Sequence, residues 1–158
     1  MAKAARTLRR FWQVGGDARP RVLESAIALL ITRGGLRLAG FRRWKAAIEH
    51  LTGTVTAREL YGQREMGTAR EIARWEAAAA RHLPLKFTCL DRALTLWWLL
   101  RKRGIAAELR IGGRKKSGKF EAHAWVEVRG ARVSDANDQA AEFVAFEQSI
   151  TAMGAQTI

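Results

Sequence analysis

The sequence predicts an α+β fold in which a helix carrying the only cysteine packs on an antiparallel sheet, behind a helical N-terminal portion. Three observations predict this. Residues 20–51 and 68–81 have apolar side chains at helical spacing. Residues 89–100 (CLDRALTLWWLL) form an apolar helical run that opens on Cys89. Residues 107–135 alternate apolar and polar side chains around glycine-containing turns, which is typical of an antiparallel meander.

Glycines and a proline divide the N-terminal portion into helices. Residues 3–12 form a short basic amphipathic helix. Pro20 suits the first turn of a second helix, which the Gly34-Gly35 pair is expected to end. A third helix spans about residues 36–51. We expect these helices to pack on the rest of the chain; docking to a membrane surface or to a partner helix is the alternative.

Two capping boxes of the same sequence predict helix starts in the middle of the chain. Residues 56–59 (TARE) open a short turn, and residues 68–71 (TARE) open a helix that runs to about Arg81. Pro84 closes that helix because proline cannot continue it.

The cysteine lies at the start of the next helix. Thr88 and Asp91 form a further capping box, and Gly104 stops the helix after a basic last turn. Cys89 therefore lies in the first turn, where unpaired backbone N–H groups and the helix dipole favour negative charge on the sulfur. A lone cysteine is more often a small buried hydrophobe, so this placement alone makes Cys89 only a candidate nucleophile.

The C-terminal part predicts a three-stranded meander. Strands are expected at residues 107–111, 120–128 and 131–135, with a polar hairpin loop at 115–119. The tail from Gln139 is expected to cover an edge of the sheet.

Two polar residues of these strands complete a possible catalytic set with Cys89. Strand alternation places His123 on the same side as Trp125, and Asp135 falls on the following strand. A base on one strand can be oriented by a carboxylate on its antiparallel neighbour, which gives a Cys-His-Asp triad. A plain strand histidine on a half-covered face is the alternative, and Asn137 and Asp138 compete with Asp135 for the third position.

Four segments together resemble one enzyme family. Residues 89–94 (CLDRAL), 99–105 (LLRKRGI), 109–112 (LRIG) and 122–127 (AHAWVE) are similar to the transglutaminase-like leader peptidases of lasso-peptide biosynthesis. These cysteine proteases release a core peptide from its leader. The resemblance is strongest over about residues 66–136 and weaker over the N-terminal helices.

The resemblance implies a papain/transglutaminase-like core, at residues 66–158, behind the helical portion at residues 1–65. It implies Cys89 as nucleophile, His123 as base and Asp135 as orienting carboxylate. The implied partners are a lasso precursor peptide, a separate leader-recognition protein and a lasso cyclase. The implied location is the cytoplasm.

For the oxyanion hole, the sequence leaves several donors open. The cysteine's own N–H would combine with one from upstream, and Gln63, Lys86 and Thr88 are all available. His50 and His82 are more easily explained as surface or capping residues. No cofactor or metal site is expected, because one cysteine and three well-separated histidines lack ligand spacing and no phosphate-binding loop is present.

The composition limits the classes of protein. The 158 residues include 28 Lys and Arg against 15 Asp and Glu, a net charge of +13, and residues 1–50 contribute 11 basic and 3 acidic side chains, hence +8. Such charge suits an acidic peptide, an anionic membrane surface or nucleic acid, or is simply a solvated basic surface. A single cysteine excludes an internal disulfide, and neither a signal peptide nor a membrane-spanning segment is expected.

Three alternative functions use the same features differently. A non-catalytic scaffold of the same fold would dock the precursor without cleaving it. A basic nucleic-acid-binding protein would explain the charge alone, although no nucleic-acid partner is expected from the triad. Acyl transfer to an amine instead of water would use the same three residues.

Overall fold

The computed structural model describes residues 19–55, 62–116, 119–133 and 143–145. They form helices α1 (Arg19–Leu38), α2 (Gly40–Thr52), α3 (Gly62–His82) and α4 (Cys89–Lys102), followed by strands β1 (Glu108–Lys116), β2 (Lys119–Val128), β3 (Ala131–Arg132) and β4 (Val144–Ala145). The predicted helix at residues 3–12 and the capping box at residues 56–59 lie outside this part of the chain.

The four strands form one antiparallel sheet in the order β3-β2-β1-β4. The long β1–β2 hairpin is its centre, with Ile111 opposite Ala124. The short strand β4 pairs with β1, which confirms that a segment after Gln139 covers an edge of the sheet. The α+β fold is confirmed, and β1 extends five residues further than the predicted end at Ile111.

The main core lies between α4 and one face of this sheet. Leu94 and Leu100 of α4 are fully buried in the same apolar cluster as Val126 of β2. Val128 and Ala124 extend the strand's contribution, because alternate residues of a strand face the same side. The indole N–H of α4 residue Trp97 donates to the carbonyl of Ala107 at 2.9 Å, which fixes where β1 begins relative to α4.

The N-terminal helices share this core. Ala28 of α1, Ile48 of α2 and Ile72 of α3 are buried in the cluster that contains the inner residues of β2. The predicted boundary between residues 65 and 66 falls inside α3. None of the helices in the described part of the chain has both the length and the apolar character needed to cross a bilayer.

The prediction that Gly34-Gly35 ends a helix is wrong. Helix α1 continues to Leu38, and the chain turns at Gly40, whose φ is +76°. The indole of Trp44 packs directly on Gly35, where an added Cβ would lie 2.7 Å from Cε3 of the ring. Gly35 therefore permits close packing of α2 on α1 instead of breaking α1.

The prediction that residues 68–71 start a helix is also wrong. Helix α3 begins at Gly62, so Thr68 lies in its interior. The hydroxyl of Thr68 donates to the carbonyl of Arg64 at 3.0 Å, one turn earlier. A threonine that bonds backward in this way is compatible with a helix interior, so the sequence pattern of a capping box is not sufficient by itself. The predicted end of α3 just before Pro84 is confirmed.

Candidate active site

Cys89 occupies the first position of α4, as the capping box predicts. The Thr88 hydroxyl accepts from the Asp91 backbone N–H at 3.1 Å, and the Asp91 carboxylate accepts from the Thr88 N–H at 2.8 Å. The Thr88 carbonyl accepts the first helical bond, from Arg92. The start of the helix is thus fixed to within one residue, and Cys89 is partly exposed there.

This cap leaves backbone donors at the cysteine. The N–H groups of Cys89 and Leu90 have no intrahelical acceptor, because they belong to the first turn and the cap engages only Asp91 and Arg92. The Thr88 N–H is already used by Asp91, which removes it from the candidates for the oxyanion hole. The cysteine's own N–H is the donor that the helix start supplies.

Arg33 of α1 holds the segment that leads into Cys89. Its guanidinium donates to the carbonyl of Lys86, lies 5.5 Å from the centre of the Phe87 ring and approaches the Asp91 carboxylate to 3.9 Å. The Asp91 side chain is 8% exposed and that of Arg33 20%, so this ion pair is mostly shielded from water. One side chain from the N-terminal helix therefore contacts both sides of the cysteine.

A second ion pair fixes the first turn of α4 from the opposite helix. Arg92 donates to Glu76 of α3 through Nε and Nη2, each at 3.0 Å from a carboxylate oxygen. Glu76 is buried, and its two-point bond to Arg92 sets the rotation of α4 as well as its distance from α3.

His123 lies on the face of the sheet that α4 does not cover. We call this the outer face; it comprises Arg110 and Arg114 of β1, Glu121, His123, Trp125 and Glu127 of β2, and Arg132 of β3. The predicted grouping of His123 with Trp125 is confirmed. The two rings stack with centroids 6.3 Å apart and an interplanar angle of 17°.

The imidazole is enclosed from the side of β4. The Phe143 ring lies 5.0 Å from it at 32°. Arg114 stacks on Phe143 at 4.5 Å, and Arg132 lies 4.2 Å from the Trp125 ring while donating to the Phe143 carbonyl at 3.3 Å. The cross-strand neighbour of His123 on β1 is Gly112, which has no side chain to place beside the ring.

These surroundings lower the pKa of His123 below its ordinary value of 6.5. Burial is the main cause, followed by the positive charges of Arg132, Arg114 and Arg92. The imidazole is therefore neutral at neutral pH and able to accept a proton. Arg92 follows Cys89 by three residues on α4, so the first turn of α4 lies within electrostatic range of the imidazole.

The structure describes two of the three residues of the predicted triad, Cys89 and His123. Cys89 opens the helix that packs on the inner face, with Ala124 and Val126, whereas His123 lies on the outer face, and no hydrogen bond between the Cys89 sulfur and the His123 ring is found among the described residues. Asp135 lies outside the described residues. The nearest described residue before it, Val133, donates its N–H to the carbonyl of Val126 at 3.0 Å, three residues along β2 from His123.

The comparison with protein families agrees with this architecture. Residues 29–147 match the family model of the transglutaminase-like superfamily, from the middle of α1 to just beyond β4. The chain belongs to the transglutaminase-like superfamily. No curated protein and no solved structure matches it significantly.

Membership in the transglutaminase-like superfamily supports the coarse part of the predicted resemblance and the general class of a cysteine peptidase-like fold. Within residues 19–55, 62–116, 119–133 and 143–145, no three His, Cys, Asp or Glu side chains cluster as the ligands of a metal would.

Sequence reasoning missed the residues that position this transglutaminase-like site. Arg33 gave no local signal, since its contacts are with residues more than fifty positions later. Glu76 did give one: it lies four residues after Ile72, on the apolar side of α3, where a lone carboxylate indicates a buried ion pair. Phe143 falls in the tail that the sequence predicts only to cover an edge of the sheet, although its ring packs against the imidazole of His123.

Proposed function

We propose that the protein is a cysteine peptidase that cleaves the leader from a ribosomally made lasso-peptide precursor. The observation that supports this most strongly is the position of its only cysteine, which opens α4 with unpaired N–H groups in a member of the transglutaminase-like superfamily. The four sequence segments that resemble the lasso leader peptidases supply the substrate class.

In the proposed mechanism, the Cys89 sulfur attacks the carbonyl carbon of the peptide bond between leader and core. The Cys89 N–H donates to the oxygen that becomes negative. His123 first accepts the thiol proton and then gives it to the leaving amine. Water then attacks the thioester, which releases the leader with a new carboxyl end and regenerates the thiol.

The low pKa of His123 suits the first of these steps. Because burial and three arginines disfavour the imidazolium, the ring is neutral and able to accept a proton when substrate arrives. The imidazolium that then forms needs a compensating negative charge, and an orienting carboxylate supplies one in triads of this kind.

Asp135 is the proposed orienting carboxylate. Val133, two residues before it, donates its N–H to Val126 of β2, the strand that carries His123.

The proposed partners follow from the resemblance. A separate small protein binds the leader and presents it, and a lasso cyclase receives the released core. We propose a cytoplasmic location, where the ribosomal precursor is made. The net charge of +13 favours a substrate or partner with acidic side chains.

The experiment is mass spectrometry of the precursor encoded beside this gene, incubated with the purified protein in the presence and absence of the recognition protein. We expect a leader-sized fragment that disappears with Cys89→Ala, while His50→Ala, a substitution of an exposed helical histidine, leaves it unchanged. Circular dichroism should show that Cys89→Ala is folded.

The other outcomes separate the alternatives. An intact precursor in the presence of the recognition protein contradicts the peptidase and supports a docking scaffold. Cleavage that survives Cys89→Ala contradicts the nucleophile. Labelled oxygen from water in the new leader carboxylate demonstrates hydrolysis, whereas a leader joined to an added amine demonstrates acyl transfer.

A further inference from the structure

Helix α1 is apolar on two opposite sides. Val22, Ala28 and Leu29 face the interior and are buried. A second set of large aliphatic side chains, here called the outer stripe, is exposed: Leu23 52%, Ile27 50%, Leu30 44%, Ile31 43% and Leu38 92%. A helix that lies on a core has polar residues on its other side, so the outer stripe requires its own explanation.

The outer stripe is continuous along α1. Its members recur every three, four or seven residues, which keeps them on one side of a helix with 3.6 residues per turn. It runs for about 22 Å from Leu23 to Leu38. Gly34 falls on the same line, and a Cβ there would have nothing within 4 Å. The stripe is thus a long apolar ridge rather than a few scattered exposed residues.

Positive charge borders this ridge. Arg37 is exposed beside its C-terminal half, and Arg42 and Arg43 are exposed at the start of α2, just beyond Leu38. Glu24 lies on the other border, but its carboxylate is paired with both Lys102, at 2.9 Å, and Arg103. Earlier in the sequence, residues 3–12 carry four cationic side chains together with Leu8, Phe11 and Trp12.

The chemistry of the outer stripe favours a lipid surface over two other occupants. A second copy of the chain would bring two basic borders together in a protein of net charge +13. A partner helix is normally held in an apolar groove, whereas the stripe is a ridge on one helix. An anionic bilayer accepts both aliphatic side chains and arginines whose charged ends remain at the headgroups.

We propose that α1 docks in the plane of an anionic membrane surface, with the outer stripe inserted among the lipids and the bordering arginines at the phosphates. This contact is peripheral, and it is independent of the proposed peptidase activity. It brings α1 to the membrane on the side away from the buried residues Val22 and Leu29, so the core packing is not disturbed.

The test is co-sedimentation of the full chain with vesicles. One set contains equal parts of phosphatidylglycerol and phosphatidylcholine, and the other contains phosphatidylcholine alone. We expect binding to the anionic vesicles that weakens at high salt. The double variant Ile27→Gln/Ile31→Gln should bind at least about tenfold more weakly. Phe120→Gln is the matched control, because Phe120 is 68% exposed at the far end of the sheet.

Three results would overturn the proposal. Equal binding to both kinds of vesicle would show unspecific adhesion. Failure to bind vesicles, combined with a dimer in sedimentation velocity that the double variant loses, would assign the stripe to a second copy. Failure to bind with a melting temperature several degrees lower in the double variant would show that the stripe is covered within the chain itself.

Discussion

The cysteine and the histidine of the candidate site are held in different ways. Cys89 begins a buried helix whose first turn is fixed by a capping box and by ion pairs from α1 and α3. His123 lies on the outer face in the middle of the β1–β2 hairpin, and the residues between it and the turn, 119–122, are exposed. Its ring is held mainly by Trp125 and by Phe143, which comes from beyond the hairpin.

This difference separates two requirements of a cysteine nucleophile. The position of the sulfur depends on charged groups that act on the helix end, so it should be sensitive to the loss of an arginine or a carboxylate. The protonation and orientation of the imidazole depend on enclosure, so they should be sensitive to the rings and charges around it. The variants below test each requirement in turn.

Removal of the base should have the largest effect. We expect His123→Ala to lower kcat/KM for leader cleavage by at least about a thousandfold, because the thiol then has no group to accept its proton. Asp135→Asn should be less damaging, since the orienting residue is the most dispensable member of a triad. Both are measured by the appearance of leader fragment over time.

His82→Ala serves as the control for this pair, because His82 ends α3 and is partly exposed. Activity that falls equally in His82→Ala and His123→Ala would show that the loss reports folding, and it would remove His123 as the base.

Loss of Arg33 should have the next largest effect, and it tests whether charged groups at the start of α4 hold Cys89 in position. We expect Arg33→Gln to reduce kcat about 10- to 100-fold with little change in KM, because the Lys86 carbonyl, the Phe87 ring and Asp91 lose their common partner. Arg33→Lys should recover only part of this, since an ammonium cannot both stack and form the same bonds.

Alkylation offers a second measurement of the same effect. Cys89 is the only cysteine, so the rate of iodoacetamide labelling of the whole chain reports this sulfur alone. The rate should change in Arg33→Gln and remain unchanged in Arg37→Gln, an exposed arginine one turn later on α1. Identical labelling rates in the two variants would show that Arg33 does not position the cysteine.

Much of the structure around Cys89 could be predicted from the sequence, because the determinants of the helix start are local. Thr88, Asp91 and Gly104 lie within a few residues of the ends of α4 and specify them. The same local reasoning failed at Gly35 and Thr68, where the outcome depends on the Trp44 ring and on a helix that had already begun six residues earlier. Local signals give the correct result where no distant group competes with them.

The surroundings of His123 could be predicted less completely. Alternation along β2 correctly placed His123 and Trp125 on one face. It could not show that Phe143, twenty residues later, packs on the imidazole, nor that Arg114 and Arg132 lower its pKa. These contacts depend on strand register and on the return of the chain to pair with β1, which a periodicity of two does not contain.

Loss of Glu76 should act mainly on stability. We expect Glu76→Gln to lower the free energy of unfolding by about 1–3 kcal/mol, because a buried two-point bond to a guanidinium is replaced by a neutral one. The lower half of that range is favoured, since 35% of the Arg92 side chain remains in water. Urea denaturation measures the change.

Glu71→Gln, at an exposed position on the same helix, is the matched control and should be nearly neutral. If the two variants were equally stable, the ion pair between α3 and α4 would not contribute to holding the first turn of α4.

The smallest effect expected is on the titration of His123 itself, which directly tests how enclosure and the nearby arginines act on the imidazole. Proton NMR of the three histidines should show His123 titrating below 6.5, because burial and the nearby arginines disfavour its charged form. Below pH 6.5 the unfolded chain takes up this proton more readily than the folded chain does. The free energy of unfolding therefore decreases as the pH is lowered through that range.

Arg132→Gln removes a positive charge and should raise the pKa of His123, but not to the ordinary value, because burial is the larger cause. Arg129→Gln is the control. Arg129 lies three residues before Arg132 and pairs with Glu65, so its loss should leave the titration of His123 unchanged. If His123 titrated above 6.5 in the unaltered protein, a negative charge, and not enclosure, would dominate the surroundings of the imidazole. The proposed difference between the surroundings of Cys89 and those of His123 would then be wrong.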